Sequence, residues 1–421
     1  MTLTEPFARV LRGVIAAAVF LIPLICSPSS FDSFRFPKEL VFRGVAIIIV
    51  AIFAIAAVWN GIERPIVVRY RAVLIVIAAI VFWALVTTAL STNRLLSVRA
   101  LEYTIDALIF FGGVWVATSD RGIRQLIAPA CAGGVVNALL AIAQATTFWN
   151  PFHFPENLPA HIRTTALLGN PNDVGAYLMI LSLAAVAAAI VSKRWPYWLV
   201  AGVLIAGLLA AQSLAAIGGF VAGLLALAFL ASRRAGSIVL AATLLATLVP
   251  FIVFPPLRNR VALITDAVSR RDWPTATSSR VYPFATAWDM FKDHPLAGIG
   301  PGAFKFNFLD YRMRLNARHP QWFQNSAENF AEVHNDHLQL LAEEGVPAWL
   351  LLLAAIVLLA RASVRNTQPD DDRRALVHFL AAPLAIAFAV LALGSFPLEM
   401  VAVLLVLLYF SAAMLHWSAQ S

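Results

Sequence analysis

The side chains best suited to chemistry in this sequence begin with two histidines that lie three residues apart, His334 and His337. Several carboxylates surround them, and a histidine beside carboxylates can act as a general base near neutral pH. Two histidines could also bind a metal, but a catalytic zinc site usually needs a third protein ligand. No His-Glu-x-x-His pattern is present. The pattern favours a general base, leaves open which histidine it is, and predicts no metal or cofactor.

We interpret the whole segment 332–345 as a helix that continues into the membrane after Gly345 and Pro347. On such a helix His334 and His337 share one face, and Asn335, Gln339 and Glu343 share another.

A second polar segment runs from His161 to Asp173. Its Asn170-Pro171-Asn172 sequence is typical of a helix start, because proline fits the first turn and asparagine caps it. Arg163 lies in a loop that the orientation derived below places on the outer side of the membrane. Positive charge is disfavoured there, so Arg163 should have a negatively charged partner. The planar fork of an arginine suits a phosphate or diphosphate.

A third segment begins at Arg280, which raises the same possibility of phosphate binding. We predict a helix over 285–296 that stops at Pro295, followed by a turn containing Gly298, Gly300 and Gly302. A glycine-rich turn can cradle phosphate, but this spacing matches no nucleotide-binding motif, so a plain turn is the stronger interpretation. Separately, Glu399 follows Ser395-Phe396-Pro397 and would lie near the outer ends of the last two predicted helices, where an acid is a candidate site residue.

The elements that carry these segments are membrane helices. Of the 421 residues, 60% are hydrophobic and only 13% charged, with a mean hydropathy of +0.79. Soluble domains have about a quarter charged residues. The net charge of +8 does not indicate nucleic acid, since no basic cluster with interleaved aromatics appears.

The apolar blocks have the length needed to cross a hydrocarbon core of ~30 Å. The block 196–232 carries no charge and is too long for one helix, so it should turn back at Gln212-Ser213. We predict an all-α integral membrane protein with about 12 transmembrane helices. Their ranges are 10–27, 40–59, 72–90, 101–118, 125–148, 173–192, 196–212, 213–232, 236–255, 346–363, 376–394 and 397–416.

The orientation follows from Lys and Arg in the short loops. With the N-terminus in the cytoplasm, thirteen lie inside and five outside. Both termini are then cytoplasmic, and the large loop between helices 9 and 10 faces outward. The predicted division is 1–255 for helices 1–9, 256–345 for a catalytic loop, and 346–421 for helices 10–12.

Together the three segments resemble the O-antigen ligase and polymerase superfamily of bacterial envelope glycosyltransferases. The most specific piece is His334-Asn335, followed after nine residues by Gly345. Arg280 followed by Asp293-His294-Pro295-Leu296 and the glycine turn is the second piece, and Arg163 with Gly169–Asn172 is the third. Relatives often carry an arginine shortly after a serine near the turn between helices 7 and 8. Ser213 is instead followed by Leu214 and Ala215.

The resemblance implies an inverting, metal-independent transfer of glycan from undecaprenyl diphosphate to lipid A–core, at the periplasmic face of the bacterial inner membrane. His334, or second His337, would be the base, and an arginine clamp would hold the diphosphate. The predicted substrate-binding residues are Arg163, Arg280, Asn170, Asn172, Asn335, Gln339 and Glu399. Membrane lipids are the other expected partners, nucleic acid is not, and a monomer is compatible with the sequence.

Two alternatives stay open. An O-antigen polymerase would use the same chemistry with a growing glycan as acceptor, but polymerases tend to have two large outside loops, whereas this chain has one. A transporter or flippase would suit twelve helices. Transporters usually show internal repeats and bind substrate at mid-membrane, and neither feature is visible here.

Overall fold

The computed structural model of the chain describes residues 2–59, 61–64, 71–118, 122–147, 149–152, 164–253, 255–322, 329–366 and 371–419. Within these residues, ten helices are long and apolar enough to cross a membrane. The prediction of an all-α membrane protein is therefore confirmed. The described strands are β1 (Thr2–Leu3) and β2 (Ile62–Arg64), which pair antiparallel beside the first helix.

Sixteen α-helices are described in chain order. The first nine are α1 (Glu5–Leu21), α2 (Arg35–Val58), α3 (Arg71–Ala89), α4 (Arg94–Ala117), α5 (Ile123–Ala145), α6 (Pro171–Ser192), α7 (Trp195–Ala211), α8 (Leu214–Ala231) and α9 (Arg233–Val253). The other seven are α10 (Pro255–Ser269), α11 (Trp273–Ala276), α12 (Val281–Asp293), α13 (Phe304–Arg318), α14 (Asp336–Arg365), α15 (Asp372–Leu391) and α16 (Val401–Ala419).

A helix lies at each of the twelve predicted span positions, but only ten of these helices are long and apolar enough to cross a membrane. Helices α7 and α9 lie where spans 7 and 9 were predicted, yet neither is among the ten. Helix α7 has only 17 residues, and the side chains of α9 beyond residue 245 lie outside the described part. Helix α4 starts at residue 94 and not at 101, because the Asn93 side chain accepts a hydrogen bond from the Leu96 backbone N–H and caps it there.

The centre of the bundle is α6, which is buried along most of its length. It is apolar all round, as expected for a helix with neighbours on every side. Helices α5, α7, α8, α15 and α16 pack against it. The predicted reversal at Gln212 is confirmed: Gln212 is left-handed with φ +54° and ends α7, and Ser213 precedes α8.

Helices α10 to α13 and the turns between them form a cap between α9 and α14. The cap has an apolar cluster of its own, built around Tyr282, Met290, Phe304 and Phe308. The helix predicted over 285–296 is α12, Val281–Asp293. It starts earlier because the Thr277 hydroxyl accepts a hydrogen bond from the Val281 N–H at 2.9 Å. It ends before Pro295, whose ring disfavours a helical residue in front of it.

The glycine turn after α12 is fastened to α14 by Glu343. The Glu343 carboxylate accepts hydrogen bonds from the Gly302 and Phe304 N–H groups, both at 2.9 Å. Its backbone carbonyl accepts from the Gly300 N–H at 2.8 Å. All three N–H groups are occupied by oxygens of Glu343, so the turn fastens the cap to α14 as a clasp and does not form a phosphate cradle. A kink at Gly345, with φ +75° and ψ −172°, follows directly in α14.

Candidate active site

His334 lies in the loop before α14 and not on the helix, so the predicted shared face of His334 and His337 is wrong. The Asn335 side chain accepts a hydrogen bond from the Leu338 N–H at 3.0 Å and caps the helix, which therefore begins at Asp336. His334 itself has a left-handed backbone, with φ +61°. Because Asn335 caps α14, His334 lies outside the helix and His337 lies within it, and the two side chains have different surroundings.

The imidazole of His334 sits between two aromatic rings. Its centroid is 4.8 Å from that of Phe396 and 6.3 Å from that of Phe330, both in edge-on geometry. In the part of the chain that the structure describes, no hydrogen bond occupies its ring nitrogens. Burial lowers the pKa of His334, and the charge of Arg280 lowers it further, while Glu332 opposes both. The ring is therefore neutral near pH 7, with nitrogens available to a substrate.

His337 is engaged elsewhere. Its Nε2 lies 3.3 Å from the carbonyl oxygen of Ala389 on α15. The Asn335 side chain donates to the Leu393 carbonyl at 3.1 Å. Gln339 accepts a hydrogen bond from the Val333 N–H at 3.0 Å. The side chains of Asn335, His337 and Gln339 thus hold the start of α14 against α15 and fix the loop that carries His334.

Arg280 is the cation beside His334. It stands at the N-terminal end of α12, half-buried, and burial lowers the pKa of its guanidinium, which still stays protonated. Among the described residues it makes no salt bridge. Its Nη1 is 3.9 Å from the position that a Cβ on Gly394 would occupy, in the loop between α15 and α16. Arg163 lies outside the described residues.

Arg35, at the start of α2, joins three acids and was not predicted as a site residue. Its guanidinium contacts Glu332 at 2.7 Å, Glu39 at 3.0 Å and Glu399 at 3.3 Å. Burial raises the pKa of Glu399, and the Arg35 charge opposes this. The predicted site acid Glu399 is therefore a partner of Arg35, and Glu332 is held only two residues from His334. Arg163 was selected because a positive charge on the outer side of the membrane is disfavoured and should have a partner. The same argument applies to Arg35.

Asn170 and Asn172 lie at the start of α6, where this helix contacts the turn between α7 and α8. Asn170 caps α6 by accepting from the Asn172 N–H at 2.8 Å, which confirms the predicted helix start. Asn172 in turn accepts a hydrogen bond from the Ser213 hydroxyl at 2.9 Å. The loop before α6 is tied to α2 by Lys38, whose ammonium donates to the Leu167 carbonyl at 2.7 Å.

The described part of the molecule thus brings His334, Arg280, Glu332, Arg35 and Glu399 together at one end of the helices. Asn335 and Gln339 support this group from α14. Within the described residues, no group of three or more His, Cys, Asp or Glu side chains is placed to hold a metal ion. Among these residues the arrangement offers one neutral base, one cation without an ion-pair partner, and a partly exposed ion cluster in which Arg35 contacts Glu39, Glu332 and Glu399.

The fold and the site define a multi-pass membrane protein with a polar site beneath a folded cap. Residues 199–353 match the family model described as O-antigen ligase, so this part of the chain is similar to that family. The predicted resemblance is confirmed. The match runs from α7 into α14 and includes Arg280 and His334. It indicates a membrane glycosyltransferase of the O-antigen ligase or polymerase type. No curated protein matches the chain.

Proposed function

We propose that the protein moves O-antigen glycan from undecaprenyl diphosphate to lipid A–core at the periplasmic face of the inner membrane. The observation that carries this is the pairing of His334 with Arg280. The His334 imidazole is neutral near pH 7 and makes no hydrogen bond to the residues that the structure describes, and the guanidinium of Arg280 has no ion-pair partner among them. A transfer of this kind needs a base for the acceptor hydroxyl and positive charge for the leaving diphosphate. The family match supports the same reaction type.

In the proposed step, His334 takes the proton of the acceptor hydroxyl. The hydroxyl oxygen bonds to the anomeric carbon while that carbon's bond to the diphosphate oxygen breaks. The electron pair leaves with the diphosphate, and Arg280 stabilises the charge that develops there, together with Arg163. Attack opposite the leaving group inverts the anomeric configuration. Arg35 has an indirect role as a positioning residue, because its guanidinium holds Glu332 and Glu399 in place.

We propose that the loop 256–345 carries this chemistry and that 1–255 and 346–421 supply the membrane helices. Helix α14 crosses the boundary between 256–345 and 346–421. Its kink at Gly345 divides the first part of the helix, which supports the site, from the second part, which spans the membrane. Both termini are proposed to be cytoplasmic.

A reconstituted transfer assay in EDTA tests the proposal. Purified protein is mixed with undecaprenyl-diphosphate glycan and lipid A–core, and wild type is compared with Arg163→Ala and Arg280→Ala. We expect transfer by wild type in EDTA and a large loss in each variant. Elongation of the lipid-linked glycan without transfer to lipid A–core would identify a polymerase instead. No reaction of either kind by folded protein would point to a transporter.

The pH dependence of transfer should report the pKa of His334. The base works when neutral, so kcat/KM should fall as pH drops through a pKa that lies below the usual value for histidine. Arg280→Gln removes the repulsion that lowers this pKa, and its acid limb should move to higher pH. Arg280→Lys keeps the charge, and its limb should stay near that of wild type. Coincident acid limbs in wild type and Arg280→Gln would contradict the assignment.

A further inference from the structure

A pocket of about 620 Å³ lies where the ends of α5, α6, α7 and α15 meet, at the opposite end of α15 from the proposed active site. Its size falls within the roughly 300–1,000 Å³ of known ligand sites. Asp372 in the first turn of α15 lines the pocket, whereas Ala389, which contacts His337, lies 17 positions further along this helix. At 1.5 Å per residue the separation is about 26 Å, most of the ~30 Å hydrocarbon core. The pocket is therefore a separate site in the other leaflet.

The pocket is lined by side chains of both charges. Within the described part of the chain these are three arginines and two aspartates: Arg124, Arg194, Arg373, Asp371 and Asp372. The preference for positive charge in cytoplasmic loops explains arginines at such a place, but it does not explain carboxylates between them. A lining of this kind suits a ligand that itself carries both a negative and a positive group.

Two of the cations and one of the acids are available to such a ligand. Arg124 and Arg194 are exposed, and neither side chain has an ion pair or hydrogen bond to any residue described. Asp372 is also exposed and, among the same residues, has no partner for its carboxylate. The Asp371 carboxylate is already engaged, because it caps α15 by accepting a hydrogen bond from the Arg374 N–H at 2.8 Å.

Two further groups of the lining are suited to an anion. The guanidinium of Arg373 lies 5.9 Å from the centre of the Trp417 ring on α16, which holds this half-buried cation against the bundle. Tyr197, in the first turn of α7, brings a phenol hydroxyl that can donate to a phosphate oxygen. The cations of the pocket thus outnumber its carboxylates, and a hydroxyl donor accompanies them.

The rim of the pocket on α7 has the character of a membrane–water interface. Arg194 is followed directly by Trp195, which is 74% exposed, and Trp198 is 51% exposed. Tryptophan is enriched at the level of the lipid head groups. Leu199 follows on the same helix and is exposed as well. A ligand in the pocket therefore has lipid head groups beside it and an apolar helix face along which acyl chains can lie.

We propose that the pocket holds the head group of a phospholipid that carries a phosphate and a primary ammonium, as phosphatidylethanolamine does. Arg124 and Arg194 hold the phosphate through charge-assisted hydrogen bonds, and the Asp372 carboxylate accepts hydrogen bonds from the ammonium. The acyl chains follow the exposed face of α7. The site needs no catalytic step, so it goes beyond the proposed function and does not depend on it.

The bound lipid would fasten together helix ends that the protein itself leaves unconnected by side-chain ion pairs among the described residues. Its phosphate bridges α5 and the start of α7, and its ammonium adds the start of α15. A ligand that binds the folded state alone stabilises it in proportion to the logarithm of its concentration over Kd. The thermal midpoint of the protein should therefore rise with added phosphatidylethanolamine.

Lipid titration of the purified, delipidated full chain in detergent tests the phosphate contacts. Native mass spectrometry gives the Kd for each lipid, and the thermal midpoint is measured alongside. For phosphatidylethanolamine, Arg124→Gln/Arg194→Gln should raise Kd about tenfold or more. The matched control is Arg233→Gln/Arg234→Gln, which removes two exposed arginines between α8 and α9, outside the pocket. It should bind the lipid as wild type does.

The choice between head groups tests the ammonium contact. Wild type should bind phosphatidylethanolamine more tightly than phosphatidylglycerol, which lacks an amine, or phosphatidylcholine, whose quaternary ammonium cannot donate a hydrogen bond. Asp372→Asn should raise the Kd for phosphatidylethanolamine roughly fivefold and leave that for phosphatidylglycerol unchanged or lower. Asp310→Asn, which changes an exposed acid on α13, should keep the wild-type preference. Without lipid, both variants should melt near the wild-type midpoint.

Three results would overturn the proposal. Equal binding of the three lipids by wild type would show only ordinary lipid contact, and a preference kept in Asp372→Asn would remove the ammonium site. Wild-type affinity in Arg124→Gln/Arg194→Gln would remove the phosphate site. Glycerophosphoethanolamine has the same head group without acyl chains and should raise the midpoint far less than the lipid. An equal rise would indicate a site for a soluble ligand instead.

Discussion

Replacing His334 with asparagine is expected to lower the transfer rate by about 10²- to 10⁴-fold, the usual contribution of a general base. Asparagine is the informative substitution because His334 has φ +61°, a left-handed conformation that asparagine adopts readily. The backbone of the loop should therefore be preserved while the base is lost. The thermal midpoint of the purified variant should remain near that of wild type.

His337→Gln is the matched control. Glutamine can keep a hydrogen bond to the Ala389 carbonyl, so the docking of α14 on α15 should survive. We expect this variant to transfer glycan at nearly the wild-type rate. The opposite pattern, with activity kept in His334→Asn and lost in His337→Gln, would make His337 the base. The small residual activity of His334→Asn should also lose the acid limb of the pH profile.

Replacing Gly345 with alanine is expected to unfold the junction between cap and span. A Cβ at this position would lie 2.0 Å from the backbone carbonyl oxygen of Leu296, which cannot move aside as a side chain could. The backbone conformation itself costs a non-glycine residue about 1–3 kcal/mol. The hydrogen bond from the Val346 N–H to the Pro295 carbonyl, now 3.0 Å, should also be lost.

The measurement is the thermal midpoint in detergent together with the transfer rate, and both should fall sharply in Gly345→Ala. Gly202→Ala is the control, because Gly202 lies in α7 and a Cβ there meets nothing within 4 Å. Alanine favours a helix over glycine, so this variant should be as stable as wild type or more so. A Gly345→Ala protein with an unchanged midpoint would show that the clasp tolerates displacement of the turn.

The sequence predicted features that depend on neighbouring residues. The helices were visible as apolar blocks of membrane length, the reversal at Gln212 as an uncharged run too long for one span, and the start of α6 as a capping sequence. Each of these is decided by local chemistry. The clustering of site residues was indicated only by the family resemblance.

The missed features depend on residues far apart in the chain. Arg35 binds Glu332 and Glu399, which lie 297 and 364 positions away, so no local pattern connects them. The start of α14 was misplaced for a different reason. A helical reading of 332–345 fits the spacing of its apolar residues, but the Asn335 side chain competes for the backbone N–H groups and begins the helix after His334.

The kink at Gly345 has a consequence for how such a protein can change over evolutionary time. In a continuous straight helix, each inserted residue rotates the side chains of all later residues by roughly 100° relative to the earlier ones. The two ends of such a helix therefore cannot change independently. Here the segment that supports His334 is clasped to the glycine turn through Glu343, and the spanning segment starts afresh beyond the break. Insertions or deletions after Pro347 can therefore adjust the span to a thicker or thinner bilayer. The geometry around His334 is insulated from that adjustment.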